Sequence, residues 1–345
     1  MLKYCDMINL KNLEIKEMQD FIEGLGEKKF RGKQIFSWIY KGVTSFDEMR
    51  NIPKSLVEKL DEVCYLGNLM KDTVQISRKD GTRKYLFQLD DGNCIESVFM
   101  KYKYGNTICV SSQAGCRMGC RFCASTLGGL KRNLEPGEIL DQIISVERDT
   151  GEKINHIVVM GTGEPFDNYD NLSKFLRIVN DKDGLNIGMR NITVSTCGVV
   201  PGIKKFSEEF PQVNLAISLH GPTDEIRGSM MPINNKYHID ELLETCKEYL
   251  DKTNRRITFE YALVDGKNDK PEDIRKLAHA LRGMLCHVNL IPLNKVRETG
   301  LEGTNRKRAE QVARELEELG IPATVRREMG ADIDGACGQL RLSKK

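Results

Sequence analysis

From residue 107 onward, apolar runs of strand length alternate with longer amphipathic stretches, and this alternation constrains the fold more than any other feature. Strand-like runs fall at 107–112, 154–160, 191–196, 213–219, 257–264, 286–293 and 323–327. Helix-like stretches lie between them at 136–149, 168–180, 201–209, 238–253, 271–282 and 305–319. Pro136 and Pro271 stand near helix starts and Gly320 at a helix end. Strands joined by helical crossovers of this length lie parallel, with right-handed connections. The pattern predicts an α/β architecture, an open, partial (β/α)6 barrel. In such barrels the site gathers at the C-terminal ends of the strands.

The chain before residue 107 changes period twice. Over 9–65 the apolar residues Leu13, Met18, Phe21, Ile22 and Leu25, and later Leu56, Val57, Leu60 and Val63, recur at helical spacing, with Pro53 at a helix start. Stretch 30–41 sets Phe36, Trp38 and Tyr40 among basic residues. Such a mixture suits stacking on RNA bases, although Phe36 and Trp38 better suit a core. From 73 to 100 the runs shorten to Val74-x-Ile76, Tyr85-x-Phe87-x-Leu89 and Ile95 to Phe99, with turn signals at Asp80-Gly81 and Asp91-Gly92. The expected organisation is a small N-terminal helical domain at 1–68, a short antiparallel β extension at 69–104 and the barrel at 105–345.

A 345-residue chain has room for one large domain and a smaller one. No apolar run approaches the roughly 20 residues that span a bilayer. Met1–Asp6 lacks a signal-peptide core, so a cytoplasmic, membrane-free location is expected. Eleven cysteines then point to a reducing compartment and not to a disulfide framework. Net charge is only +2, so RNA contacts must come from local basic clusters. Arg117/Arg121, Lys131-Arg132, Arg255-Arg256, Arg306-Lys307-Arg308 and Arg326-Arg327 are the candidates.

The loop leaving the first barrel strand carries Cys116, Cys120 and Cys123, spaced Cys-x3-Cys-x2-Cys among glycines. Three thiolates this close can wrap one soft metal centre. An iron–sulfur cluster usually takes four cysteines, so three leave one iron open for a ligand. Zinc held by three cysteines and a histidine is the other metal reading. His156, the nearest histidine, lies well outside the usual spacing, and no second Cys-x2-Cys half is present.

Other chemistry-bearing residues fall at strand ends. Gly163-Glu164 follows the second barrel strand. Ser195 and Ser218/His220 follow or end later strands, and Asn294 follows the sixth. A carboxylate, hydroxyls and an amide at one barrel mouth suit a polar ligand.

The triplet, together with Cys109-Val110-Ser111-Ser112-Gln113, Gly161-Thr162-Gly163-Glu164-Pro165 and Asp332-Ile333-Asp334-Gly335-Ala336-Cys337-Gly338-Gln339-Leu340, resembles the RlmN/Cfr family of radical S-adenosylmethionine (SAM) RNA methyltransferases. The resemblance runs over nearly the whole chain, closest to the C2-methylating branch. Thr162 departs from it, where the family often has methionine. It implies a [4Fe-4S] cluster on Cys116, Cys120 and Cys123, with SAM on Gly163, Glu164, Ser195, Ser218, Leu219, His220 and Asn294.

It further implies methylation of an adenine C2 in 23S ribosomal RNA (rRNA), and of a transfer RNA (tRNA) anticodon-loop adenine. Two SAM molecules are used per turnover. Cys337 takes the methyl of one as an S-methylcysteine, and a radical from the second activates it. Cys109 then assists proton loss and closes a disulfide with Cys337, while Glu96 is a proton acceptor. The electron would come from flavodoxin or ferredoxin, and a monomer is expected. C8 methylation, or a non-catalytic metal-stapled RNA-binding module, are the alternatives. Cys5, Cys64, Cys94, Cys197, Cys246 and Cys286 are read as small buried hydrophobes.

Overall fold

The computed structural model describes residues 7–294, 296, 298–336 and 338–340. Cys5 and Cys337 lie outside the described residues.

The chain starts with strand β1 (Ile8–Asn9), then helices α1 (Ile15–Gly24), α2 (Phe30–Ile39) and α3 (Lys54–Val63), and returns in β2 (Cys64–Tyr65), which pairs with β1 in parallel. A capping box of Glu14 and Glu17 starts α1, and Pro53 precedes α3. Met18 and Ile22, Ile35, Phe36 and Ile39, and Leu56, Val57 and Leu60 turn inward from the three helices. Phe36 is therefore core. Trp38 is half-buried and donates its indole N–H to Asn51.

Strands β3 (Met70–Ile76), β4 (Arg83–Gln88), β5 (Cys94–Tyr102) and β6 (Gly105–Val110) form an antiparallel meander. From β6 the pattern switches. A short antiparallel pair, β7 (Gln113–Ala114) and β8 (Arg132–Asn133), brackets the cysteine loop. Strands β9 (His156–Val159), β10 (Ile192–Thr196), β11 (Asn214–Ser218), β12 (Ile257–Leu263), β13 (Cys286–Pro292) and β14 (Ala323–Val325) then add in parallel to β6 in sequence order. The crossovers are α4 (Pro136–Thr150), α5 (Tyr169–Asn180), α6 (Val200–Glu209), α7 (Asp224–Met230) with α8 (Ile239–Thr253), α9 (Pro271–Leu281) and α10 (Arg306–Glu318). Six strand–helix units and a last strand make the open α/β barrel that the alternation predicts.

The antiparallel strands are not a separate sheet. They continue the barrel sheet, so one ten-stranded sheet runs from β14 to β3. The crossover helices match the predicted stretches to within a residue or so at each end. α7 was not foreseen, because a seven-residue helix leaves too little periodicity to recognise. Among the described residues no helix is long and apolar enough to cross a membrane.

A buried ion pair fastens the N-terminal helices to the barrel. Lys11 pairs with Asp141 of α4 and also donates to Asn68 Oδ1 at 3.2 Å, while the second oxygen of Asp141 accepts from Leu69 N at 2.6 Å.

Candidate active site

Two loops leaving neighbouring strands, 111–116 after β6 and 160–164 after β9, are knitted together. Ser112 N and Gln113 N donate to the Thr162 carbonyl at 2.9 and 3.1 Å. The Gln113 side chain accepts from Glu164 N at 2.8 Å and donates to Asn133 and Asp167 at 2.8 and 2.9 Å. The glycines follow from this contact. A Cβ on Gly161 would stand 2.7 Å from the Val110 carbonyl oxygen, and one on Gly163, at φ 114°, would stand 2.8 Å from Gln113 N. Both glycines line the cavity, but backbone crowding is what requires them.

Cys116, Cys120 and Cys123 line one cavity at the strand C-termini, as the loop position predicts. Burial pushes the Cys116 thiol up to about 12, with the charges of Glu164 and Cys123 adding to it. Burial raises Cys120 and Cys123 as well. Buried Cys116 and Cys120 and half-buried Cys123 resist ionising unless a bound cation offsets their charge, and metal binding does this by displacing their protons. The donor set thus fits a thiolate-ligated iron centre. No three Cys, His, Asp or Glu side chains converge on a single-ion site among the described residues.

The facing wall carries Gly163, Glu164, Ser195, Ser218, His220 and Asn294. Glu164 is buried, and its two oxygens accept from Phe166 N at 3.1 Å and Cys197 N at 2.7 Å. Burial raises its pKa against these bonds, of which that from Cys197 is foremost. Ser195 Oγ and Ser218 Oγ lie 3.5 Å apart. His220 is buried at φ 56°, and its Nδ1 accepts from Ala262 N at 2.9 Å. That bond leaves the ring proton on Nε2. Burial, and then the Arg227 charge, hold the imidazole neutral with its pKa down to about 3. Leu219 is not brought to the wall. Its side chain is fully buried and its N–H donates to the Glu260 carbonyl at 3.0 Å.

A second cavity adjoins the first and shares Met160, Ile291, Asn294, Arg326 and Leu340 with it. Cys109 lines this second cavity from β6, opposite Val98 of β5. Glu96, two residues before Val98, points to the same sheet face and is buried, not a solvated edge residue. Lys84 stands 3.4 Å from its carboxylate. Cys337 is outside the described residues. On either side of it, Ala336 lines the second cavity and Gly338 the first.

The sequence reading missed Glu260. Buried on β12, it lines the first cavity, accepts from Asn289 Nδ2 at 2.8 Å and stands 3.8 Å from Arg326. An acidic residue inside the apolar run 257–264 was the available signal. Of the basic clusters, Arg326 reaches both cavities, whereas Arg117 is tied to Asp167 and Arg132 to Asp91 and Glu138.

Comparison with known proteins agrees with this geometry. Residues 8–66 match the ribosomal RNA large subunit methyltransferase N-terminal domain, and residues 110–278 match the radical SAM superfamily. A probable dual-specificity RNA methyltransferase RlmN of Clostridioides difficile (strain 630) is 54% identical over 338 residues, covering 98% of each chain. Its counterpart in Alkaliphilus oremlandii (strain OhILAs) is 54% identical over 97% of this chain and 98% of its own. The crystal structure of a radical SAM methyltransferase from Sphaerobacter thermophilus superposes with a TM-score of 0.94 at 42% identity, covering 97% of this chain and 100% of that one. Near-complete coverage at this identity leaves one assignment: the chain belongs to the RlmN family of radical SAM RNA methyltransferases.

Proposed function

We propose that this enzyme methylates C2 of an adenine in the peptidyl-transferase region of 23S rRNA, and C2 of a tRNA anticodon-loop adenine, through an S-methylcysteine at Cys337. The observation that carries the reading is the adjacency of two cavities with one shared wall. One is lined by three thiols and a polar ligand wall, the other by the Cys109 thiol. The dual-specificity RNA methyltransferases to which the chain is similar support the pairing of substrates.

In this reading Cys116, Cys120 and Cys123 hold a [4Fe-4S] cluster, and Gly163, Glu164, Ser195, Ser218, His220 and Asn294 bind SAM, with Leu219 contributing through its backbone. When bound, cluster and SAM supply the methyl group and a one-electron reductive cleavage, using two SAM molecules per turnover and electrons from flavodoxin or ferredoxin. His220 offers a neutral Nε2–H, with its tautomer set by Ala262, to a ring nitrogen acceptor. Glu164 keeps lone pairs for an ammonium or a ribose hydroxyl beyond its two backbone bonds. Cys109 lines the second cavity and Glu96 shares its sheet face without lining either cavity; in this reading the two take the ring proton. Cys109 then pairs with Cys337 to release the product.

Residues 1–68 act as an accessory unit that holds RNA, 69–104 as a linking extension and 105–345 as the catalytic barrel. Exposed Phe30 with Arg31 4.8 Å from its ring, and Lys41 4.3 Å from the Trp38 ring, supply stacking and charge there. The enzyme works as a cytoplasmic monomer.

Mass spectrometry of rRNA and tRNA from a deletion strain and its complemented partner tests the reading. C2-methyladenosine should vanish from both RNAs and return on complementation. A C8-methylated adenine, or no change, would overturn it.

A further inference from the structure

Arg227, on the short helix α7, is fully buried, among the largest such side chains in the structure. A desolvated guanidinium is costly unless an opposite charge offsets it. Its Nη1 donates to Asn234 Oδ1 at 2.9 Å and its Nη2 to the Cys197 carbonyl at 2.6 Å, while Nε has no hydrogen-bond partner. Among the described residues no carboxylate forms an ion pair with it. The route to Asp224 runs indirectly through Asn234, and Asp224 is already engaged by His238 and by Ile239 N.

The cysteine loop packs against the elements that hold Arg227. The end of α7 is bonded to that loop, with Arg121 N donating to the Met230 carbonyl at 2.9 Å. Cys120, Cys197, Met230 and Met231 pack in one apolar cluster. Cys197, whose carbonyl accepts from Arg227, lines the same cavity as Cys116, Cys120 and Cys123. Arg227 and Glu164 also grip Cys197 from two sides, one at its carbonyl and the other at its N–H.

We infer that Arg227 is the buried counter-charge of the thiolate-ligated centre, a positioning residue that eases both its binding and its one-electron reduction. The inference rests on Cys116, Cys120 and Cys123 being the cluster ligands. Three ligating thiolates, and an electron added to their centre, bring negative charge where the surroundings screen little. The guanidinium offsets that charge, and the thiolates offset the desolvation of the guanidinium. The coupling is reciprocal. In the metal-free protein the buried guanidinium is a cost; in the loaded protein it is an asset.

The test uses the full chain, reconstituted anaerobically, as wild type, R227K, R227Q and R227M. Gln keeps a donor for the Cys197 carbonyl without the charge, and Lys keeps the charge. Dithionite titration followed by electron paramagnetic resonance should show reduction at least roughly tenfold less favourable in R227Q and R227M, a negative shift of about 59 mV for one electron, with R227K close to wild type. Metal-free R227M should melt no lower than metal-free wild type, yet gain less stability on cluster loading. Cluster loss in R227Q and R227M but not in R227K also supports the inference. Four results overturn it: unchanged potentials with intact clusters, cluster loss in all three variants, a metal-free R227M that fails to fold, or a potential in R227K as low as in R227M. Wild-type protein that takes up no iron would instead remove the ligand assignment, and this inference with it.

Discussion

Glu164 and His220 show how one backbone bond can decide the chemistry of a buried side chain. Glu164 does double duty, because the loop of Cys197 hangs on its second oxygen. Glu164→Gln keeps an acceptor for one backbone N–H and loses the charge. SAM affinity should fall by about 1.5–3 kcal/mol, the worth of a hydrogen bond to a charged group, with iron content preserved. Equilibrium dialysis measures this, and an unchanged dissociation constant would leave Glu164 only its structural task. His220 makes a pH prediction. Its folded pKa of about 3 lies below the ordinary 6.5, so below pH 6.5 the unfolded chain binds a proton that the folded chain refuses. Stability is therefore full above 6.5 and falls with pH, by about 1.4 kcal/mol per unit towards the folded pKa. His220→Asn can keep both the left-handed backbone and an acceptor for Ala262 N. Urea unfolding of the metal-free variant between pH 7 and 5 should show a shallower pH dependence than wild type, and parallel curves would contradict this.

At the scale of elements, the segment around position 337 is pinned from two directions. On one side the β3–β4 turn holds it: Asp332 accepts from Ser77 Oγ at 2.6 Å and Arg78 N at 3.0 Å, and Asp80 accepts from Gly330 N at 3.0 Å. Lys84 of β4 donates to the Asp334 carbonyl at 3.2 Å while standing beside Glu96. On the other side the residues just after Cys123 hold it, with Ala124 N and Ser125 Oγ donating to the Gly338 and Leu340 carbonyls at 2.8 and 3.1 Å. The antiparallel strands thus hold the residues before position 337 as well as continuing the barrel sheet. Asp332→Ala removes two of these bonds at an exposed position. Hydrogen exchange over 328–336 should quicken several-fold with little change in melting temperature, and unchanged exchange would show that the other anchors suffice.

For the whole molecule, the buried pair of Lys11 and Asp141 is one of the contacts that tie the N-terminal helices to the barrel. Removing one member strands the other charge away from water. Lys11→Met should cost about 3–5 kcal/mol in urea unfolding. Lys11→Met combined with Asp141→Asn removes both charges and keeps an acceptor for Leu69 N, so it should recover most of that loss. Simple additivity of the two single changes would show that the pair is not coupled.

The local regularities of this chain were legible in its residues. Apolar alternation and helical spacing are written within a dozen residues, so the six strand–helix units and their order follow from them. The cysteine triplet and Gly163-Glu164 are compact motifs on loops after strands, so their place at the barrel mouth follows too. Other features depend on residues that only folding brings together. Glu260 looked like an ordinary strand residue until strand register set it beside Asn289 and near Arg326. Nothing in the residues around Glu96 shows that it is buried beside Lys84. The resemblance alone puts Leu219 among the ligand residues, and its side chain lies in the core. Arg227 sits on a helix too short to leave a period, and only in three dimensions does it appear that no carboxylate among the described residues forms an ion pair with it. Periodicity records which face of an element avoids water. It carries no record of which distant charge or hydrogen-bond partner will meet a side chain there, and in this protein the tertiary structure alone decided that.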